Sequence, residues 1–453
     1  MSLTNAPLQA PLVAAIGGTP LVRLGRFEPR PEVELYAKLE SSNPGGSVKD
    51  RAALAIILDA ERSGQLGRGK ILLDATSGNT GIAYAMIGAA RGHRVRLCVP
   101  GNVTPERKRI LHAYGADLVF TDPMEGSDGA ILEARRIYAA APDRYFYANQ
   151  YGNDANWRAH YDTTAVEIAE QTGGRLTHFV AGLGTSGTFV GTGRRLREID
   201  RSIQLLSVEP DSPLHNLEGL KHMASAIVPT IYDRSLANRQ ITVATDTAHE
   251  LTRRLAREAG LFVGPSSGAA LAACLDAASE VRAGVFVTVF PDGGDRYLSD
   301  RFWDDTAESG PSSANTVRLS SAARATILAD GERSYPDECC GALFGPAPTQ
   351  IVEALSLRNV TTGERRRRFL IGTEEYRAAE KHADDTGRAL LGFYHSHPDH
   401  PAEPSAFDLE HAWPNMSYVI VSVAGGQAGV VRSWRLRADR SGFDEEPLDR
   451  SAG

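Results

Sequence analysis

No stretch of the chain approaches the ~18 uninterrupted apolar residues a membrane helix needs. The opening Met1-Ser2-Leu3-Thr4-Asn5-Ala6-Pro7 has neither the basic segment nor the apolar segment of a leader. Membrane insertion and secretion are therefore not expected, and a cytoplasmic protein is. Cysteine is scarce: Cys98, Cys274, Cys339 and Cys340 form no CxxC, and the adjacent pair suits neither a disulfide nor a zinc knuckle, so buried reduced thiols are expected. An excess of positive charge is also lacking. The net charge of -7 and pI near 6.0 give no electrostatic reason to expect nucleic acid or an anionic membrane as partner. What is present is 453 residues, 42% of them hydrophobic, enough for two or three packed domains at the usual ~100–200 residues each.

One boundary is visible, and there is no internal repeat. Residues 305–316 are small and polar without hydrophobic periodicity, as a flexible linker is. Before it, apolar runs alternate with helical patterns. Strands are expected at Lys70–Ala75, Val95–Pro100, Thr177–Ala181, Gln204–Val208 and Gly284–Phe290, with helices from about Ala52 to Ser63 and Thr80 to Arg91. That alternation implies a doubly wound α/β fold. After the linker comes a smaller α/β unit with its clearest strands at Leu390–His395 and Tyr418–Val423.

The smaller unit contains His395-Ser396-His397-Pro398 and, shortly after, Ser405-Ala406-Phe407-Asp408. Histidines at i and i+2 on a strand point to one face, and Asp408 can return from the next loop or helix as a third ligand. Three protein ligands leave a fourth zinc position open for water, the mark of a catalytic site. Two histidines and a carboxylate also suit non-haem iron, but two further residues favour hydrolysis. Glu338, upstream in Tyr335-Pro336-Asp337-Glu338-Cys339-Cys340-Gly341, is the candidate general base, and Ser405 can donate to an oxygen on which charge develops. His382, His400 and His411 read as solvated surface residues. The set Glu338, His395, His397, Ser405 and Asp408 resembles the JAMM (MPN+) metallopeptidases, which implies a zinc hydrolase of cytidine-deaminase-like α/β fold over residues 317–453.

In the larger unit three Gly/Ser/Thr-rich loops each stand where a strand gives way to a helix. Gly182-Leu183-Gly184-Thr185-Ser186-Gly187-Thr188 spells GxGxxG, and its backbone amides and helix start make a phosphate cradle. With Glu209 ending the next strand, this loop alone leaves a dinucleotide and another phosphate both open. The loop Asn43-Pro44-Gly45-Gly46-Ser47-Val48-Lys49-Asp50-Arg51 decides between them. It sets Lys49 at a helix start, where desolvation and the helix dipole lower an amine's pKa toward what a carbonyl-binding lysine needs. Thr76-Ser77-Gly78-Asn79-Thr80-Gly81 suits an amino-acid carboxylate, though Ser and Thr at such places also serve simply as helix caps.

Together these loops resemble the fold-type II pyridoxal phosphate enzymes, within them the cysteine synthase/cystathionine β-synthase family, over residues 1–304. The resemblance implies that Lys49 holds pyridoxal phosphate and acts as acid and base. It implies that Gly184, Thr185, Ser186, Gly187 and Thr188 bind the phosphate and Asn79 the ring hydroxyl. It further implies that Ser266, in Gly264-Pro265-Ser266-Ser267-Gly268, faces the ring nitrogen and that Thr76, Ser77, Thr80 and Gln150 hold the substrate carboxylate. Lys221 matches a position where phosphoserine-using relatives carry arginine, so O-phosphoserine is favoured over O-acetylserine. A homodimer through this domain is also implied.

The fusion suggests a sulfur source. One branch of cysteine synthases takes sulfur from the thiocarboxylate of a ubiquitin-like carrier ending in Gly-Gly, and a JAMM-type peptidase then releases cysteine from that carrier. This chain resembles both enzymes joined, and a short tether raises one site's local concentration about the other toward ~mM. The alternatives are a sulfide-using O-acetylserine sulfhydrylase or cystathionine β-synthase fused to an unrelated isopeptidase, or to a non-catalytic module. The run Arg365-Arg366-Arg367-Arg368 reads as a solvated edge, with carrier docking as its second reading.

Overall fold

The computed structural model describes residues 12–449, apart from 68, 77, 102, 123–124, 213–214, 299, 304–315, 362, 364, 413–415 and 438–441. The expected linker falls almost wholly outside the described residues. The chain divides into two compact units, residues 1–299 and 300–453.

The first unit contains two sheets. The larger runs in the order Leu21–Arg23, Val33–Leu39, Gly284–Phe290, His178–Gly182, Gln204–Pro210, Arg239–Val243, parallel except for the first pair. The smaller, Asp117–Thr121, Arg94–Pro100, Ile71–Ala75 and Tyr145–Tyr147, is parallel throughout. Parallel strands covered on both faces must be apolar along their length, and Ile71–Ala75 and the greater part of Gly284–Phe290 are buried. The helices Lys49–Arg62, Asn79–Arg91 and Gly187–Ile199 each begin beyond the carboxyl end of a strand or its loop, whereas Pro265–Ser279 follows the helix Thr245–Ala259. Open α/β sheets place their ligand crevices there. The helix over Ala52–Ser63 expected from the sequence starts three residues earlier, so Lys49 is its first residue.

The second unit is built on a mixed sheet in the order Glu353–Leu357, Cys340–Gly345, Ala389–Pro398, Ser417–Ala424, Gln427–Leu436, Phe443–Glu446. Within this sheet, among the described residues, only Ala389–Pro398 and Ser417–Ala424 pair in parallel. The helix Ser321–Ser334 packs its Ala323 and Ile327 against Val419, Val421 and Val423, and Ser320 caps it by accepting from the Ala323 amide at 3.1 Å. Among the described residues all four cysteines are buried and unpaired. His400 is exposed as expected, but His382 is half-buried, its ring 2.8 Å from Glu353. No helix among the described residues is long and apolar enough to cross a membrane.

Candidate functional site

One cleft in the first unit, with about 990 Å³ of empty space counted out to its mouth, is lined by Lys49, Thr76, Asn79, Thr80, Gln150, Gly184, Thr185, Ser186, Thr188, Lys221 and Ser266. Loops separated by more than two hundred residues thus converge; Ser77 lies outside the described residues. Lys49 opens onto this cleft in the first turn of its helix. Its amine makes no hydrogen bond or ion pair among the described residues, and burial holds its pKa below the usual lysine value, partly opposed by Asp292 and Glu40.

The phosphate loop turns sharply into the Gly187–Ile199 helix through Ser186, a non-glycine residue at φ +69°. A Cβ on Gly184 would lie 2.1 Å from the Gly219 carbonyl oxygen, and one on Gly187 would lie 2.0 Å from Asn156 Oδ1. The backbone must therefore stay bare here. Ser186 Oγ is buried without a partner, whereas Thr185 Oγ1 accepts from Asn156 Nδ2 at 3.1 Å. A bare backbone at a helix start with an unsatisfied hydroxyl is a fitting cradle for a phosphate, and Lys49 faces the same cleft.

Other residues are engaged differently from the sequence expectation. Asn79 was expected to meet a ring hydroxyl. Its amide instead donates to Asp292 Oδ2 at 2.5 Å and accepts from Arg296. Thr80 donates to Gln150 Oε1 at 2.7 Å, and Gln150 donates on to the Ala75 carbonyl at 2.6 Å. Thr76 Oγ1 accepts from the Gly78 and Gly81 amides at 3.1 and 3.2 Å, so it also serves as a cap. Lys221 lies 2.9 Å from Asp128.

Sequence reading missed several cleft residues. Tyr297 donates to Asp292 at 2.6 Å, and Arg107, buried, pairs with Glu218 and lies over the Tyr297 ring. His160 stands in a π-helical turn, His160–Thr164, with Nε2 3.3 Å from Thr188 Oγ1 and Nδ1 2.9 Å from Thr164 Oγ1. Such turns concentrate at functional sites. Asp292 and Tyr297 carried a signal, both standing in the segment Pro291-Asp292-Gly293-Gly294-Asp295-Arg296-Tyr297-Leu298, whereas Arg107 and His160 offered none.

In the second unit His395, His397 and Asp408 bring one ligand atom each within 4.8 Å of one another. Strand parity puts both imidazoles on one face of Ala389–Pro398, and Asp408 enters from the first turn of the helix Ala406–His411. The two Nε2 atoms are 3.0 Å apart, and Asp408 lies 3.2 Å from His395 and 3.6 Å from His397. His397 Nδ1 is 2.9 Å from the Pro401 carbonyl, which turns Nε2 inward as a lone-pair donor. Burial pushes the His395 pKa down. For Asp408 burial acts upward, but the two histidines outweigh it and hold the carboxyl well below the usual range. Two imidazole nitrogens and a carboxylate crowded together in a buried place form a donor set that fits a divalent metal ion such as zinc.

Cys340 pairs with His395 across the sheet, the Ser396 amide donates to the Cys339 carbonyl at 3.2 Å, and Glu338 is the residue just before that contact. Burial raises the Glu338 carboxyl to about 8, with His397 and Asp408 acting in opposite senses. Ser405 departs from its expected role as a donor to a reacting oxygen. It is the N-cap of the Asp408 helix: its hydroxyl accepts from the Asp408 amide at 3.2 Å and its own amide donates to Asp408 Oδ2 at 2.7 Å, a capping box, and the hydroxyl also donates to Asp408 Oδ2 at 2.7 Å.

Comparison with known proteins follows this division. Residues 12–292 match the family model "Pyridoxal-phosphate dependent enzyme", and residues 320–437 match "Prokaryotic homologs of the JAB domain". The cysteine synthase of Aquifex aeolicus is 52% identical over 301 residues, 65% of this chain and 92% of that protein. Cysteine synthase B of Pseudomonas aeruginosa is 42% identical over 66% of this chain and 99% of its own length. Among solved structures, O-ureido-L-serine synthase superposes with a TM-score of 0.63 at 40% identity, covering 67% of this chain and 98% of that one. An O-acetyl serine sulfhydrylase from Entamoeba histolytica gives 0.63 at 33% identity, covering 68% and 96%.

Proposed function

Because the chain belongs to the pyridoxal-phosphate dependent enzymes, we propose that its first unit replaces the β-substituent of an activated serine with sulfur from a thiocarboxylated ubiquitin-like carrier ending in Gly-Gly. That replacement leaves cysteine joined to the carrier through sulfur as a thioester. Attack of the cysteine α-amine on the acyl carbon moves the acyl group from sulfur to nitrogen and frees the thiol, and the second unit, with zinc, then hydrolyses the resulting carrier–cysteine amide to carrier carboxylate and free cysteine. The observation that carries this reading is the buried His395, His397 and Asp408 donor set, with Glu338 beside it, on the same chain as a cysteine-synthase-type unit. Relatives named cysteine synthase and O-ureido-L-serine synthase support a serine-derived substrate.

Pyridoxal phosphate, held by Lys49 and the Gly184–Thr188 loop, supplies the electron sink for charge that develops at the substrate α-carbon. Lys49 Nζ, with its pKa lowered by burial, removes the α-proton and later returns one. Thr80 and Gln150, already oriented toward each other, hold the substrate carboxylate together with the amides at the start of the Asn79–Arg91 helix. Ser266, which lines the cleft, would offer the bound cofactor a neutral hydroxyl and no carboxylate, which would favour elimination and replacement over transamination. In the second unit His395, His397 and Asp408 would hold zinc, which would supply Lewis acidity and lower the pKa of a water. Glu338, raised by burial, accepts a proton from the attacking water and passes it to the leaving amine of cysteine.

The leaving group has a second reading. Lys221 is already paired with Asp128, which favours a neutral substituent, as in O-acetylserine, over the phosphate dianion.

The test is a pair of variants. With activated serine and a thiocarboxylated carrier, Asp408→Ala and Glu338→Gln should keep the first unit's chemistry and accumulate carrier–cysteine, visible by intact mass. Wild type should release free cysteine, and a chelator should reproduce the variants. If Asp408→Ala releases cysteine at the wild-type rate, the relay is wrong.

A further inference from the structure

The exposed run Arg365–Arg368 borders the metal-ligand cluster of the second unit, and we propose that it is a docking strip for an acidic segment of the protein substrate. The proposal rests on the hydrolase reading of that unit and names what its substrate must carry. The strip is tied to the site by backbone bonds. The Arg365 carbonyl accepts from the Glu338 amide at 2.8 Å, and Asn359 Nδ2 donates to the carbonyls of both Glu338 and Arg368 at 3.1 Å. Two aromatic rings continue the connection: Phe369 stacks on His395 with centroids 4.4 Å apart, and the Arg368 guanidinium lies 5.3 Å from the ring centroid of Phe407, the neighbour of Asp408.

All four arginines are exposed, and none forms an ion pair with a described carboxylate; Arg365 Nε donates only to the Thr361 carbonyl at 3.3 Å. Four adjacent cations with no carboxylate in ion-pair contact repel one another, and an incoming run of carboxylates relieves that repulsion while accepting bidentate hydrogen bonds. In a chain of net charge -7 the strip is a local exception. It follows one short segment beside a candidate amide-cleaving centre and does not spread over a broad face, which favours an acidic polypeptide over a nucleic acid.

The test uses the full-length zinc-loaded protein and two labelled peptides ending in Gly-Gly-Cys, one with glutamates upstream and its twin with glutamines. Binding is read by fluorescence anisotropy and cleavage by free cysteine. Wild type should bind the acidic peptide about tenfold more tightly at low salt, as two exposed pairs allow, and lose the preference as salt screens it. Arg366→Gln with Arg367→Gln, outside the metal-binding and base residues, should abolish the preference and cut the glutamine peptide at the wild-type rate. A double variant that keeps the preference, or a wild type that binds both peptides equally, overturns the proposal. So does a uridine oligonucleotide that binds more tightly than the acidic peptide. If the preference is present but neither peptide is cut, docking stands and the hydrolase reading falls; if both are cut without preference, the reverse holds.

Discussion

Lys221 Nζ lies 2.9 Å from Asp128 Oδ1 and 3.4 Å from Ser127 Oγ, so the cation expected to meet a substrate phosphate already has a carboxylate partner. The second buried cation lining the cleft, Arg107, is likewise paired, with Glu218. A phosphate dianion must compete with Asp128 for Lys221, whereas an acetyl ester need not. Asp128→Asn keeps the acceptor that meets the Ile227 amide at 2.9 Å and removes the competing charge. It should raise kcat/KM for O-phosphoserine relative to O-acetylserine by about tenfold, ~1.4 kcal/mol. Lys221→Ala should move the ratio the other way. Equal effects of either variant on both substrates would show that the pair does not select the leaving group.

A second buried pairing supports the Lys49 helix. Arg51 joins Glu40 at 2.8 Å and Glu167 at 2.6 Å, and Glu167 also holds the fully buried Lys38 at 2.6 Å. Burial acts to raise the Glu167 pKa, but Arg51 and Lys38 outweigh it and bring it to about 2. A depressed carboxyl contributes stability that is present above its unfolded value and lost as pH falls through the folded one. Glu167→Gln should therefore cost roughly 3 kcal/mol at pH 7, since it leaves Lys38 buried without its charge partner. The gap from wild type in denaturant melts should close between about pH 4 and pH 2. An unchanged gap at low pH would assign the loss to packing alone.

The gathering of His395, His397 and Asp408 was legible because the three are close in sequence and the alternation of a strand fixes which way His395 and His397 face. The parallel strands were legible for a related reason, since burial on both faces leaves continuous apolar runs; Gly284–Phe290 falls where the sequence puts it. Ser405 was harder to read. Ser-x-x-Asp is both a hydrolase signature and a capping box, and only the 3.2 Å bond from the Asp408 amide shows that the hydroxyl is engaged in the cap. Partnerships across long sequence separations were not legible at all. Asn79 and Asp292 meet across 213 residues, and Lys221 and Asp128 across 93. No local pattern encodes such a pairing.

Lys49 gives a direct chemical test. Borohydride treatment of the cofactor-loaded protein should fix the cofactor to the peptide containing Lys49, identified by mass spectrometry. Lys49→Ala should fold normally, give no fixed peptide and lose turnover. Attachment at another lysine would remove Lys49 from its proposed role.

Ser405 distinguishes two ways of building the metal site. If its hydroxyl serves a reacting oxygen, Ser405→Ala should lower kcat while zinc affinity and melting temperature stay near wild type. The structure instead ties the hydroxyl and amide of Ser405 to Asp408 Oδ2, both at 2.7 Å, so the residue orients a ligand carboxylate and caps its helix. Removing an outer partner of a ligand typically weakens metal binding ~10–100-fold, and losing an N-cap costs ~1 kcal/mol. Ser405→Ala should therefore lose zinc to a competing chelator at least about tenfold more readily than wild type. Its activity should be largely restored by excess zinc, and Ser405→Thr, which keeps the cap, should stay close to wild type. Full zinc affinity together with a lost kcat would return Ser405 to the reacting oxygen and leave Asp408 positioned by its helix alone.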